Sequence, residues 1–276
     1  MIQSITISDC VGPYSQCVLK GDILQCIDHA KRLGYEGVEM HMRNAKLNDY
    51  NRIKDYADRL QMKVTGIGTG MACYADGHYL TNPDKLARKE AQQVLIDFLE
   101  AAHTLGDTVV LFGLMKGSLP DKDPRTREKY KNILFESLQP VVEAAEKFGN
   151  DLTIEAINRF QAEYLWSADE TLDFVNRFDS ERVTIHLDTF HINIEDKDME
   201  KAIRICKERL GYFHVSDSDR DHPGHGHFDF KKCIDTLYDI GYDRPGRGVL
   251  GHEYNADPDP VTAAVGGYKH IKQFLR

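Results

Sequence analysis

Four residues that can bind a metal ion or move a proton end four successive predicted strands in the second half of the chain. They are Glu155 in "LTIEA" (152–156), Asp188 in "VTIHLD" (183–188), His214 in "YFHVS" (212–216) and Glu253 in "GVLGHE" (248–253). Three carboxylates and one imidazole, without a thiolate, suit Mn²⁺, Mg²⁺ or Co²⁺ better than a structural zinc ion. Buried like charges also need a counter-ion. We therefore predict one divalent metal site at these four residues.

The alternation of apolar residues indicates which side chains of these strands point inward. In "LTIEA" the apolar Leu152 and Ile154 should face surrounding helices, which turns Glu155 toward the interior. The same alternation turns inward His186 and Asp188, His214, and Gly251 and Glu253. The four candidate ligands should therefore meet at one end of a closed sheet.

Short β-rich runs alternate with helical stretches along the whole chain. The other candidate strands are "SITIS" (4–8), "GVEMH" (37–41), "KVTGIG" (63–68) and "TVVLFG" (108–113). Several helical segments end at a glycine suited to a helix C-cap, namely Gly106, Gly149 and Gly241. Eight strands with intervening helices in about 250 residues predict an α/β fold. We expect a single-domain (β/α)8 TIM barrel over residues 1–276, because an open doubly wound sheet usually has fewer strands and the glycine-rich nucleotide motifs are absent.

The composition excludes several classes of protein. Hydrophobic residues make up 41% and charged residues 29% of the chain, which is typical of a globular domain. A formal net charge of -9 argues against a nucleic-acid partner. The six cysteines form no CxxC pair, there is no signal-peptide pattern, and no apolar run approaches the roughly 20 residues of a membrane span. We expect a cytoplasmic protein without membrane contact; homo-oligomerisation stays open.

Four motifs resemble the xylose-isomerase-like barrel superfamily, and most closely the ketose 3-epimerases similar to D-tagatose and D-psicose 3-epimerase. They are "EAINRFQ", "HLDTFHIN", "HVSDSDRDHPGHGHFDF" and "GHEYN". The resemblance implies one divalent cation on Glu155, Asp188, His214 and Glu253, the set that strand phase also selects. Mn²⁺ is the expected ion, Co²⁺ and Mg²⁺ are alternatives, and Zn²⁺ stays open. The resemblance to these epimerases also implies that Glu155 and Glu253 form the acid/base pair.

The resemblance also indicates residues that bind substrate. The family's D-x-x-H and H-x5-R spacings fall on His191 and Arg220, which there contact substrate hydroxyls. Gln161 stands where the tagatose-type enzymes have a glutamate that helps to hold the sugar. Glu39 and His41 share the inward phase of "GVEMH" and are expected to line the pocket. The three histidines of the glycine-rich turn, His222, His225 and His227, are expected to be exposed.

The function that follows is a metal-dependent sugar isomerase or epimerase. We expect it to act on a ketose or ketose phosphate through an enediolate, with 3-epimerisation as the favoured reaction. Aldose–ketose isomerases, hydroxypyruvate-type isomerases and inosose dehydratase-like lyases are alternatives on the same site. A nuclease of the endonuclease IV type is disfavoured, because "VVLFGLMKG" lacks the extra histidine ligands of its three-zinc cluster and His78 is out of place. A non-catalytic sugar-binding barrel would leave the four ligands without a role.

Overall fold

The chain folds around a closed barrel of eight parallel β-strands. The structure, a computed structural model, describes residues 1–10, 16–106, 108–119 and 123–276. The barrel strands are β1 (Ile2–Ser8), β3 (Gly37–His41), β4 (Lys63–Gly68), β5 (Val109–Phe112), β6 (Leu152–Glu155), β7 (Val183–Asp188), β8 (Leu210–Val215) and β9 (Val249–His252). Each pairs with the next in this order, and β1 pairs with β9 to close the ring. The predicted TIM barrel is confirmed.

Helices follow most of the strands and cover the outside of the barrel. They are α1 (Ile23–Leu33), α2 (Tyr50–Arg59), α3 (Gly70–Asp76), α4 (Lys85–Leu105), α5 (Arg127–Phe148), α6 (Ala168–Val175), α7 (Thr189–Glu195), α8 (Met199–Ile205), α9 (Phe230–Asp239) and α10 (Pro260–Lys272). At the end of α5, Gly149 has φ 79° and its N–H reaches the carbonyl of Ala145, as the sequence predicted for a C-cap. Among the helices described, none is both long and apolar enough to cross a membrane.

Apolar side chains face outward from the barrel wall, and several polar side chains face inward. Outward-facing residues such as Ile154, Ile185 and Phe213 are fully buried under the helices. Inside the barrel, Thr65 Oγ1 lies 2.7 Å from Ser4 Oγ and 2.8 Å from Tyr212 Oη. These buried hydroxyls satisfy one another and form a packed layer near the site.

The observed strands agree with the predicted ones to within two residues at each end. One strand was not predicted, the two-residue β2 (Leu19–Lys20), which pairs with β1. Two residues are too short to show an alternation of apolar and polar side chains.

The strand register brings the candidate ligands side by side. Asp188 on β7 pairs with His214 on β8, and His214 pairs with Gly251 on β9. A Cβ atom on Gly251 would lie 2.7 Å from Cδ2 of His214, and one on Gly113 would clash with Oε2 of Glu155. The absence of side chains at these glycines therefore makes room for two of the predicted ligands.

Candidate active site

The four predicted metal ligands converge at the carboxyl ends of the strands. Asp188, His214 and Glu253 each offer a ligand atom within 4.8 Å of the others, and Glu155 forms a second such group with Asp188 and His191. His214 Nδ1 lies 3.7 Å from Asp188 Oδ2 and 3.4 Å from Glu253 Oε2. Because Asp188 belongs to both groups, the four side chains border one space that could hold a cation.

The chemistry of His214 fits a metal ligand. Its Nε2 lies 2.8 Å from Oε2 of the fully buried Glu39, whereas its Nδ1 is buried without a hydrogen-bond partner. A proton on Nε2, donated to Glu39, leaves the lone pair on Nδ1 facing Asp188 and Glu253. Burial by itself would lower the pKa of His214, yet Glu39 and Glu253 raise it well above its usual range. The raised pKa means that the ring tends to take up a second proton, on Nδ1, when no metal is bound. A cation at Nδ1 would replace this second proton.

Glu39 makes contacts that its pocket-lining position alone did not indicate. In addition to His214, its Oε1 lies 2.6 Å from His41 Nε2, and the same nitrogen lies 3.8 Å from Glu253 Oε1. Burial would raise the pKa of Glu39, but His214 and His41 lower it below its ordinary value. Glu39 is therefore an ionised carboxylate that orients two imidazoles.

Arg220 lies between two of the predicted ligands. Nη1 donates to Asp188 and Nη2 donates to Glu253, and Nη1 also donates to Ser216 Oγ at 2.9 Å. Although burial would raise the pKa of both carboxyls, Arg220 lowers the pKa of Asp188 and of Glu253. With φ at 68°, Arg220 has a backbone conformation that is rare for a residue with a side chain.

His191 is oriented toward Glu155 by a residue that the sequence did not single out. Asn158 Nδ2 lies 2.8 Å from His191 Nδ1, and His191 Nε2 lies 3.5 Å from Glu155 Oε1. Since the amide donates to Nδ1, the proton of the neutral ring is on Nε2 and points to the carboxylate. The strand pattern could not identify Asn158, because it lies in the loop after β6.

His186 is a second buried histidine of the site. Its side chain is inaccessible, neither ring nitrogen has a hydrogen-bond partner, and its ring stands edge-on to that of His214 at 4.1 Å. Burial lowers the pKa of His186 to about 4. Burial would raise the pKa of Glu155, whereas His186, His191 and His214 lower it. Glu155 is therefore ionised near pH 7.

A cavity of about 110 Å³ opens above these groups. All five residues predicted to bind substrate line it, namely Glu39, His41, Gln161, His191 and Arg220. A more apolar part of its wall is formed by residues that no sequence pattern indicated, namely Met71, Tyr74, Leu114 and Ile157. A cavity with convergent polar groups and an apolar wall is typical of a small-molecule site.

The glycine-rich turn after β8 is held by one buried carboxylate. Asp217 accepts hydrogen bonds from the backbone N–H groups of Ser218, Gly224 and Phe228 at 2.8 to 3.0 Å. His225 and His227 are exposed, as predicted.

His222 differs from the expectation. It is half-buried, because the turn packs it beside Gly266 of α10 and near the ring of Tyr254.

Comparison with known proteins identifies a family. The sequence profile described as "Xylose isomerase-like TIM barrel" matches residues 27–276. L-ribulose 3-epimerase of Mesorhizobium japonicum is 30% identical over 187 residues, which is 66% of this chain and 62% of that protein. D-psicose 3-epimerase of Ruminiclostridium cellulolyticum is 33% identical over 165 residues, 59% of this chain and 56% of that protein. Both alignments span less than two thirds of the relatives' own length.

Solved structures share the fold over the whole chain. D-allulose 3-epimerase from Methylomonas sp., in complex with D-allulose, superposes with a TM-score of 0.83 at 22% identity, covering 100% of this chain and 97% of that one. A 3-keto-D-glucoside 4-epimerase from E. coli has a TM-score of 0.81 at 20% identity and covers 99% of this chain and 100% of that one. At these identities the likeness establishes the barrel fold.

Proposed function

The chain belongs to the xylose isomerase-like TIM barrel family, and on this premise we propose that it is a divalent-metal-dependent sugar epimerase that inverts C3 of a ketose. The observation that carries the proposal is the placement of Glu155 and Glu253. Glu155 ends β6 and Glu253 directly follows β9, two strands that are three positions apart in a ring of eight, and both residues line the same cavity. Two carboxylates that approach one substrate from different sides can remove and return a proton on opposite faces.

The cation would be held by Glu155, Asp188, His214 and Glu253. The unpartnered Nδ1 of His214 and the ionised carboxylates around it support this assignment. An oxygen-rich set with one imidazole suits Mn²⁺, with Co²⁺ and Mg²⁺ as alternatives. When bound, the cation would polarise the carbonyl of the sugar and stabilise negative charge that develops on its oxygens.

The two glutamates would move the proton. One carboxylate takes the proton from C3, the C–H electron pair passes into a C2–C3 double bond, and the carbonyl π electrons move to the C2 oxygen. The second glutamate, which would first take a proton from solvent, protonates the enediolate at C3 from the other face, and the first glutamate releases its proton to solvent. The product is the C3 epimer, without net oxidation or reduction. Identical acid/base groups can exchange roles when the direction reverses.

Three other residues would hold the sugar. His191 and Arg220 both line the cavity, and His191 Nε2 lies 3.5 Å from Glu155 Oε1. Gln161 lines the cavity and can donate and accept hydrogen bonds through its amide. Because an amide carries no charge where the tagatose-type enzymes have a carboxylate, the preferred sugar should differ at the oxygen that this residue contacts.

The charge of the cavity favours a sugar without phosphate. The cavity is lined by Glu39, Glu155 and Glu253. Among its described lining residues, Arg220 is the single one with a lysine or arginine side chain. That guanidinium group is already paired with Asp188 and Glu253. A phosphate dianion would therefore find no uncommitted lysine or arginine among the described lining residues, so a neutral ketose is the better substrate.

The direct test is a substrate screen of the metal-loaded protein. EDTA-treated protein reconstituted with Mn²⁺ is incubated with D-fructose, D-tagatose and their phosphates, and the products are identified by NMR. We expect a C3-epimeric ketose from an unphosphorylated sugar and none from the metal-free protein. An aldose product, or loss of water, would instead support the isomerase or lyase alternatives.

A further inference from the structure

Lys116 is a buried lysine whose ammonium group binds backbone next to the candidate site. It ends the 3₁₀ turn Leu114–Lys116 after β5, and only 1% of its surface is exposed. Nζ donates to the carbonyl oxygen of Glu155 at 3.0 Å and to that of Leu165 at 3.4 Å. Lysine is rarely buried to this extent, and here the ammonium group is held by these two backbone carbonyls.

The two acceptors stand at the two ends of one loop. Glu155 precedes residues 156–164, and Leu165 follows them. Leu165 has φ 54°, a left-handed conformation that is unfavourable for leucine, and its carbonyl also accepts a hydrogen bond from the N–H of Ile157 at 3.1 Å. Such a conformation persists where surrounding contacts determine it. Lys116 therefore joins the start of the loop to its end.

The loop carries groups of the candidate site. Glu155 lies at its start, Asn158 orients His191, and Gln161 lines the cavity. The N–H groups of Gln161 and Ala162 both bind the carbonyl of Asn158 at 3.0 Å, so this part of the loop is an ordered turn. A shift at the base of the loop would consequently move several of these groups together.

The backbone of Lys116 is itself fixed from the other side. Its carbonyl accepts hydrogen bonds from Tyr164 Oη at 2.5 Å and from Thr81 Oγ1 at 3.0 Å. Thr81 belongs to the segment between α3 and α4, and α3 contributes Met71 and Tyr74 to the cavity wall. Lys116 thus connects two walls of the cavity.

We propose that Lys116 is a positioning residue of the site. Its ammonium group holds the Glu155 backbone and the 156–165 loop, and thereby keeps the Glu155 carboxylate and Gln161 in the positions where they contact the substrate. Its kinetic consequence rests on the proposed epimerase function. Displacement of a reacting group by about 1 Å can lower a rate by about 10²-fold. Removing the ammonium group should therefore reduce turnover more than binding.

The test compares Lys116→Met with Tyr242→Phe. Methionine keeps much of the side-chain length but donates no hydrogen bond. Tyr242→Phe also removes one hydrogen bond, to the Val249 carbonyl at the start of β9, which is the end of the barrel remote from the site. We expect Lys116→Met to lower kcat at least tenfold with KM within about threefold of wild type, and to retain about one cation per chain. Tyr242→Phe should lower Tm and keep the wild-type kcat. Wild-type kcat in Lys116→Met, or an equal loss of kcat in both variants, would overturn the proposal.

A second measurement does not depend on turnover. Amide hydrogen exchange should become faster at Ile157, whose N–H shares the Leu165 carbonyl with Lys116, in Lys116→Met and not in Tyr242→Phe. If the wild-type protein epimerises no ketose, the proposed function fails, and the exchange rates still decide whether Lys116 holds the loop. Unchanged exchange across residues 156–165 in Lys116→Met would refute the positioning role.

Discussion

Glu39 Oε2 and His214 Nε2 lie 2.8 Å apart, and neither side chain is more than 3% exposed. The carboxylate fixes the ring so that Nδ1 faces Asp188 and Glu253, where a metal ion would bind. Carboxylate partners of this kind typically contribute 10- to 100-fold to metal affinity.

We therefore expect Glu39→Gln to weaken Mn²⁺ binding by about 10- to 100-fold, because a neutral amide is a poorer partner for Nε2–H. Competition with a chelator measures the affinity. Glu143→Gln on the exposed face of α5 serves as the control and should bind Mn²⁺ as the wild type does. Equal affinity in Glu39→Gln would show that His214 does not need this partner.

Glu155→Gln and Glu253→Gln should each reduce kcat by about 10²- to 10⁴-fold, the usual contribution of a general acid or base. Both residues are also candidate ligands, so cation content is measured for each variant and the rates are compared at full occupancy. A metal-loaded Glu253→Gln variant with wild-type kcat would remove that residue from the acid/base pair.

Arg220→Ala should raise KM by about tenfold or more and change kcat less, because the guanidinium group orients substrate oxygens and moves no proton. The metal-free variant should also have a lower Tm, since two buried carboxylates lose their ion-pair partner. Added Mn²⁺ should restore part of that loss. Steady-state kinetics and calorimetry with and without metal check both expectations, and a loss confined to kcat would contradict the assigned role.

Asp196, which lies outside the candidate site, should make the stability of the fold depend on pH. Burial, with Asp169 and Glu195 nearby, raises its pKa from 3.8 to about 6, and its Oδ2 is buried without a hydrogen-bond partner. Because the folded state retains the proton to higher pH, the free energy of unfolding should fall as pH rises from about 4 through 6. After allowance for partial exposure, the effect is about 1 to 2 kcal/mol.

Asp196→Asn should remove this dependence and gain stability relative to the wild type above pH 6. Thermal unfolding at several pH values measures it, with Asp173→Asn on the exposed surface of α6 as the control. Parallel stability curves for wild type and Asp196→Asn would rule out the effect.

The sequence predicted the parts of the structure that depend on local patterns. Apolar alternation around Leu152 and Ile154 indicated the direction of Glu155. The resemblance of the stretch after β8 to a family motif pointed to Arg220 as a substrate-binding residue, and Arg220 lines the cavity. It could not predict contacts between distant segments. The Glu39–His214 pair joins residues 175 positions apart, and Lys116 reaches Leu165 across 49 positions. Such pairs depend on barrel closure and loop packing, which no local pattern encodes.

The expectation for Glu39 illustrates the difference. Its inward phase correctly predicted that it would line the cavity, yet both of its oxygens are engaged by imidazoles. His222 was expected to be exposed on the basis of its glycine-rich turn, and the packing of that turn against α10 half-buries it. In each case one partner lies on an element that is remote in sequence, namely His214 on β8 for Glu39 and Gly266 on α10 for His222.

The position of solvent-derived deuterium tests proton transfer at C3 by the two glutamates most directly. The Mn²⁺-loaded protein is incubated in D₂O with the ketose that it turns over, and the label is located by NMR. We predict deuterium at C3 of the product, with Glu155→Gln and Glu253→Gln as controls that incorporate far less. Label confined to C1 or C2 would contradict 3-epimerisation and indicate an aldose–ketose isomerase.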